Sequence, residues 1–170
     1  ATQTIVIDAP RTRVWQALTD AEQLGQWLLP AAIQATLKRD DSGRLLVCMG
    51  GMEIPLALHE VVDPSQRLIF RSLPDRSSVV TIALEDAGNG TRVSVALSGF
   101  DDDTPAVHEQ RAQPSRAAWA CALANLSAHI ANSDLPHPEG YVAGMFGFRR
   151  EAKEEYSVER SIWINAPRER

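Results

Sequence analysis

Cysteine is scarce in this chain: Cys48 and Cys121 are the only two. Two distant thiols make neither a disulfide framework nor a zinc-binding cluster, and they fit a reducing compartment better than secretion. No apolar run reaches the roughly 18–20 residues of a membrane span. The opening ATQTIVIDAP lacks the charged start and apolar block of a secretory signal. Positive charge is also short, with 17 basic against 22 acidic side chains and a net charge of −5. That balance argues against a nucleic-acid groove or an anionic membrane surface, both of which call for clustered Lys and Arg. The four histidines, His59, His108, His129 and His137, include no pair at the i, i+4 spacing of a helical zinc site. What is present is ordinary. Hydrophobic residues make up 44 % and charged residues 23 %, near the globular averages of about 45–50 % and about 25 %. A chain of this length buries roughly 70 % of its unfolded surface and needs no staple. The expectation is a cytoplasmic globular domain without metal or cofactor.

One motif occurs twice. Ile5-Val6-Ile7-Asp8-Ala9-Pro10-Arg11-Thr12-Arg13 returns as Ile162-Trp163-Ile164-Asn165-Ala166-Pro167-Arg168-Glu169-Arg170. Six of the nine positions are identical, at a spacing of one domain length. Between the copies, period-2 segments predict strands at about residues 3–8, 32–38, 44–49, 52–62, 67–72, 78–86 and 91–99. Asp41-Ser42-Gly43, Gly50-Gly51, Asp63-Pro64-Ser65 and Gly88-Asn89-Gly90 are turns between them. Short helices are expected at 10–19 and 21–28, the second capped by Asp20. A long helix is expected over 113–131, where Trp119, Leu123, Leu126 and Ile130 form one stripe. Thr104-Pro105 suits a cap and first helical turn. Residues 132–157 read as a linker holding a short charged helix. The class is α+β: an antiparallel sheet with one apolar face, covered by the last helix.

Several segments carry a family likeness. They are Ile7-Asp8-Ala9-Pro10-Arg11-Thr12-Arg13-Val14-Trp15-Gln16-Ala17-Leu18-Thr19-Asp20, Leu24-Gly25-Gln26-Trp27, Gly90-Thr91-Arg92-Val93 with Leu97-Ser98-Gly99-Phe100, and Trp119 with Leu123, Leu126 and His129. Taken in this order, over about residues 3–131, the chain resembles the SRPBCC (START-like, birch-pollen-allergen-like) superfamily. Within it the likeness is to the activator of heat shock protein 90 ATPase homologues. The resemblance implies a helix-grip fold, in which a curved antiparallel sheet wraps a long C-terminal helix and two short helices follow the first strand. It also implies a cavity between sheet and helix. Members bind lipids, sterols and other apolar ligands, some act as cyclases or hydrolases, and eukaryotic relatives bind a chaperone. The domain is expected at 1–132, a linker at 133–157, and the opening strand of a second, truncated copy at 158–170. That strand suggests a homodimer in which the tail adds to a neighbour's sheet edge.

Strand parity assigns the cavity wall. One face collects Ile54, Leu56, Leu58, Leu68, Phe70, Val80, Ile82, Val93 and Val95; the other collects Glu53, His59, Arg67, Arg71 and Arg92. On this reading His59 is solvated, and the inner strand face carries no acid, base or nucleophile. The candidate cavity residues are Trp27, Met49, Met52, Leu56, Phe70, Val95, Phe100, Trp119 and Leu123, and no catalytic residue is assigned. The expected function is non-catalytic binding of a small apolar molecule. The alternatives are a co-chaperone-like interaction module and a cyclase or hydrolase of the same superfamily.

Overall fold

The computed structural model describes residues 2–29, 34–73, 78–99, 104–138 and 140, leaving aside the side chains of His108 and Arg111. Its elements run β1 (Thr2–Ile7), α1 (Arg11–Thr19), α2 (Ala21–Leu28), β2 (Thr36–Arg39), β3 (Arg44–Met49), β4 (Met52–Asp63), β5 (Arg67–Ser72), β6 (Val79–Ala87), β7 (Gly90–Ser98) and α3 (Pro105–Ile130). The strands make one antiparallel sheet in the order β1-β7-β6-β5-β4-β3-β2. The sheet curves around α3, which is the expected helix-grip α+β architecture.

Local chemistry starts each helix. The Asp20 carboxylate accepts the amides of Glu22 at 2.9 Å and Gln23 at 3.2 Å and so opens α2. Thr104 accepts the Val107 amide at 3.4 Å, and Pro105 takes the first turn of α3. The long helix therefore begins eight residues before the expected 113. Pro114 lies inside it. A proline removes one amide from the helical ladder, and the exposed turn from Thr104 to Val107 offers no apolar stripe to read. Beyond Pro114 the stripe holds. Trp119, Leu123 and Leu126 are buried and Ile130 packs on the same core, with Phe70, Ile82, Val93 and Val95 from the sheet.

Thr91 is buried, and its hydroxyl donates to the Ala9 carbonyl at 2.8 Å, fastening the turn from β1 into α1. Gly90 beside it admits no side chain, since a Cβ there would come within 2.5 Å of the Ile7 carbonyl oxygen.

The parity expectation fails at one place. Leu45 pairs with Ala57 and Leu46 with Pro55, so Leu56 is an extra residue in β4. Such a bulge reverses the facing of everything beyond it. His59 therefore points inward and is 2 % exposed, while Leu58 leaves the core and Ala57 joins it. The reading of His59 as a solvated residue is corrected, and with it the expectation of an inner strand face free of any base.

Residues 133–138 and 140 follow α3 back onto the domain. Leu135 packs on the core, and Gly140 sits so close to the Leu28 carbonyl that a Cβ would meet it at 2.6 Å. The remainder of the expected linker, the strand at 158–164 and with it the tail-mediated dimer lie outside the described residues, as does Phe100.

Candidate functional site

A cavity of about 120 Å³ opens between the sheet and α3. Trp119 and Phe70 form its aromatic wall, and Leu28, Leu45, Leu56, Ala57 and Val80 its aliphatic wall. Ser72 and Ser78 are the two hydroxyl-bearing residues among those that line it. Among the described residues no ionisable side chain lines it. Strand pairing explains the composition: Phe70 and Ser72 are successive inward positions of β5, and Ala57 lies opposite Ser72. A larger surface groove of about 530 Å³, between α2 and β2, is lined by Glu22, Gln26 and Thr36 among others.

The structure divides the candidate residues. Leu56, Phe70 and Trp119 line the cavity. Trp27, Val95 and Leu123 are buried in the packed core instead, and the Trp27 indole donates to the Ala17 carbonyl at 2.9 Å. Met49 and Met52 sit at the β3–β4 hairpin, where Met52 is 58 % exposed.

Behind the aromatic wall lies His59. Its ring stacks on Phe70 at 4.8 Å between centroids, and Phe70 in turn tilts against Trp119 at 6.2 Å. Neither ring nitrogen meets hydrogen-bond geometry with a described group. Burial pushes its pKa down to about 4, the Arg39 guanidinium adds to the push, and the Leu18 carbonyl partly opposes it. The imidazole is thus neutral at pH 7 and shielded from the cavity by Phe70. His129 near the end of α3 also has a lowered pKa, through partial burial and then Arg13. That is the reverse of the cationic helix-end role its position suggests. No group of three metal-ligating side chains occurs among the described residues. No helix among them is long and apolar enough to cross a membrane.

The sequence model described as Activator of Hsp90 ATPase homolog 1-like protein matches residues 8–131. The chain belongs to this family. No curated protein matches it significantly. Among solved structures it is similar to protein SSP2350 from Staphylococcus saprophyticus, with 17 % identity and a TM-score of 0.61 over 79 % of this chain and 94 % of that one. CalU16 from Micromonospora echinospora is 20 % identical, with a TM-score of 0.56 over 92 % of this chain and 84 % of the other. An AHSA1-like protein from Rhizobium etli is 23 % identical, with a TM-score of 0.54 over 80 % and 84 %. At these identities the likeness is one of fold.

Sequence reasoning missed one polar residue at the centre of this AHSA1-like domain. Asn125 is fully buried. Its amide donates to the Trp27 carbonyl at 3.2 Å and the His137 carbonyl at 2.7 Å, and its oxygen accepts the His137 amide at 2.9 Å. One side chain thus ties α2, α3 and the segment after α3. The signal was available, because Ala118, Ala122 and Asn125 repeat at i, i+4 and i+7 beside the apolar stripe. Asn125→Ala is expected to lower the unfolding free energy by about 2–4 kcal/mol, from three bonds of about 0.5–1.5 kcal/mol each. Urea titration of both proteins measures it, and a loss below about 1 kcal/mol would show that the three bonds are not rigidly made.

Proposed function

We propose that this AHSA1-like domain is a non-catalytic binding domain for a small, uncharged, apolar molecule held between the sheet and α3. The observation that carries the reading is the cavity itself: an apolar wall under Trp119 and Phe70, without an ionisable side chain among its described residues. General acid or base work requires a titratable group within about 3 Å of the reacting proton. His59, the nearest buried base by ring contact, stands behind Phe70 and outside the lining. The volume sets the size of the guest. About 120 Å³ is below the roughly 300–1,000 Å³ of drug-sized pockets. It is close to the roughly 150 Å³ of an engineered cavity that takes benzene. One ring fits within it, and a larger guest, such as one with a second fused ring, extends past Leu56 toward the exposed Ile54 and Met52.

Titration with toluene and with benzoate tests this. Burying an unpaired carboxylate is costly, so toluene should raise the melting temperature and benzoate should not. At a hundred times its dissociation constant a ligand adds about 2.7 kcal/mol, a rise of several degrees. Tighter binding of benzoate, or no response to either compound, counts against the proposal. The second reading, a co-chaperone-like interaction module, is favoured by the exposed apolar row Met52, Ile54 and Leu56 on β4. A docking protein would bury that row and with it the Leu56 edge of the cavity.

A further inference from the structure

Two hydroxyls interrupt the apolar lining. Ser72 continues the inward series Leu68 and Phe70 of β5, and Ser78 precedes the inward series Val80 and Ile82 of β6. The backbone locks the two together. The Ser72 amide donates to the Ser78 carbonyl at 3.0 Å, and the Ser78 amide donates to Ser72 Oγ at 3.1 Å. Ser72 Oγ is therefore positioned by a bond it accepts. Among the described residues neither serine hydroxyl donates to an acceptor. Both residues are half-buried and face the same space as the aromatic wall.

A pure hydrocarbon seated there would cover these donors and strip them of water without replacing it, and leaving a covered donor unmade is costly. A carboxylate would meet two neutral hydroxyls and no described cation, in an apolar wall that penalises its charge. A neutral oxygen satisfies both constraints. We propose that the cavity selects an uncharged apolar molecule bearing one hydrogen-bond-accepting oxygen, such as a cyclic ketone, whose oxygen is held by Ser72 and Ser78 while its ring lies against Trp119 and Phe70. This rests on the binding reading above and adds to it the chemical class of the guest.

The test uses indane and 1-indanone, one skeleton without and with a carbonyl. Calorimetry on the full chain and on the double variant S72A/S78A compares their affinities. In the variant 1-indanone should weaken about three- to tenfold relative to indane, the worth of one ordinary hydrogen bond. Retained indane binding reports an intact cavity. On the unaltered protein, the carbonyl stretch of bound 1-indanone should lie below its position in an apolar solvent. An unshifted stretch overturns the proposal even if the variant does not fold. So does equal weakening of both compounds, or an unchanged affinity for 1-indanone. In those cases the cavity still stands as a binding site. If neither compound binds the full chain, the binding reading itself fails, and the class assignment falls with it.

Discussion

Trp119→Ala is expected to lower the unfolding free energy by about 3–5 kcal/mol, the range for deleting a buried tryptophan side chain. The ring is 3 % exposed and stands where α3 meets the sheet, against Phe70. Its removal joins the vacated space to the existing cavity of about 120 Å³. The surrounding strands are held by pairing on both sides and cannot collapse to fill it. Stability in domains of this kind is about 5–15 kcal/mol, so the loss is a large share of the total. The urea midpoint should fall with little change in slope. Trp119→Phe keeps an aromatic face toward Phe70 and should lose less. Because Trp119 also lines the cavity, the alanine variant should bind toluene differently from the parent even where it is folded. A stability loss below about 1 kcal/mol would mean that the long helix does not close the core.

The second large effect is a pH dependence centred on His59. Its folded pKa is depressed to about 4 from an ordinary 6.5, first by burial and then by Arg39. The folded protein holds this imidazole neutral, so the unfolded chain binds its proton more readily. A depressed pKa contributes stability that is fully present above the unfolded value and is lost as pH falls through the folded one. The window is therefore from about pH 6.5 down to about pH 4. A shift of this size, at 1.36 kcal/mol per pKa unit, is worth about 3 kcal/mol across the window. His59→Phe should abolish most of that slope. It should change stability at neutral pH little, because the stack on Phe70 is kept while a buried polar ring and its interaction with the Leu18 carbonyl are both removed. His129 shifts in the same direction, so a smaller slope should persist in the variant. Denaturation at pH 7, 5.5 and 4.5 measures all of this. A parent protein equally stable at pH 7 and 4.5 would contradict the buried position of His59.

Wherever periodicity was unbroken, it could be read directly. The inward series Leu68, Phe70 and Val80, Ile82, Leu84 came out as alternation predicts because regular strands put every second side chain on one face. The stripe Trp119, Leu123 and Leu126 was legible for the corresponding helical reason. His59 was not, because the extra residue Leu56 reverses the parity of β4. A bulge is a feature of pairing between two strands, and neither strand announces it alone. Ser72 and Ser78 were legible in principle, as polar residues in inward series. Their mutual hydrogen bonding was not, since it depends on where β5 and β6 meet.

Taken as a string of residues, the chain already commits residues 3–131 to an α+β class with seven strands and three helices, and carries an acidic net charge and a family likeness over most of its length. These follow from short-range rules: side-chain period, turn chemistry and helix caps. Cavity size, the neutral buried imidazole and the Asn125 ties were decided only in three dimensions. Each depends on groups far apart in sequence being brought within a few ångströms, where burial sets the charge state and residual volume sets what can enter. A local pattern cannot encode either quantity, because both are differences between what surrounds a group and what it would meet in water.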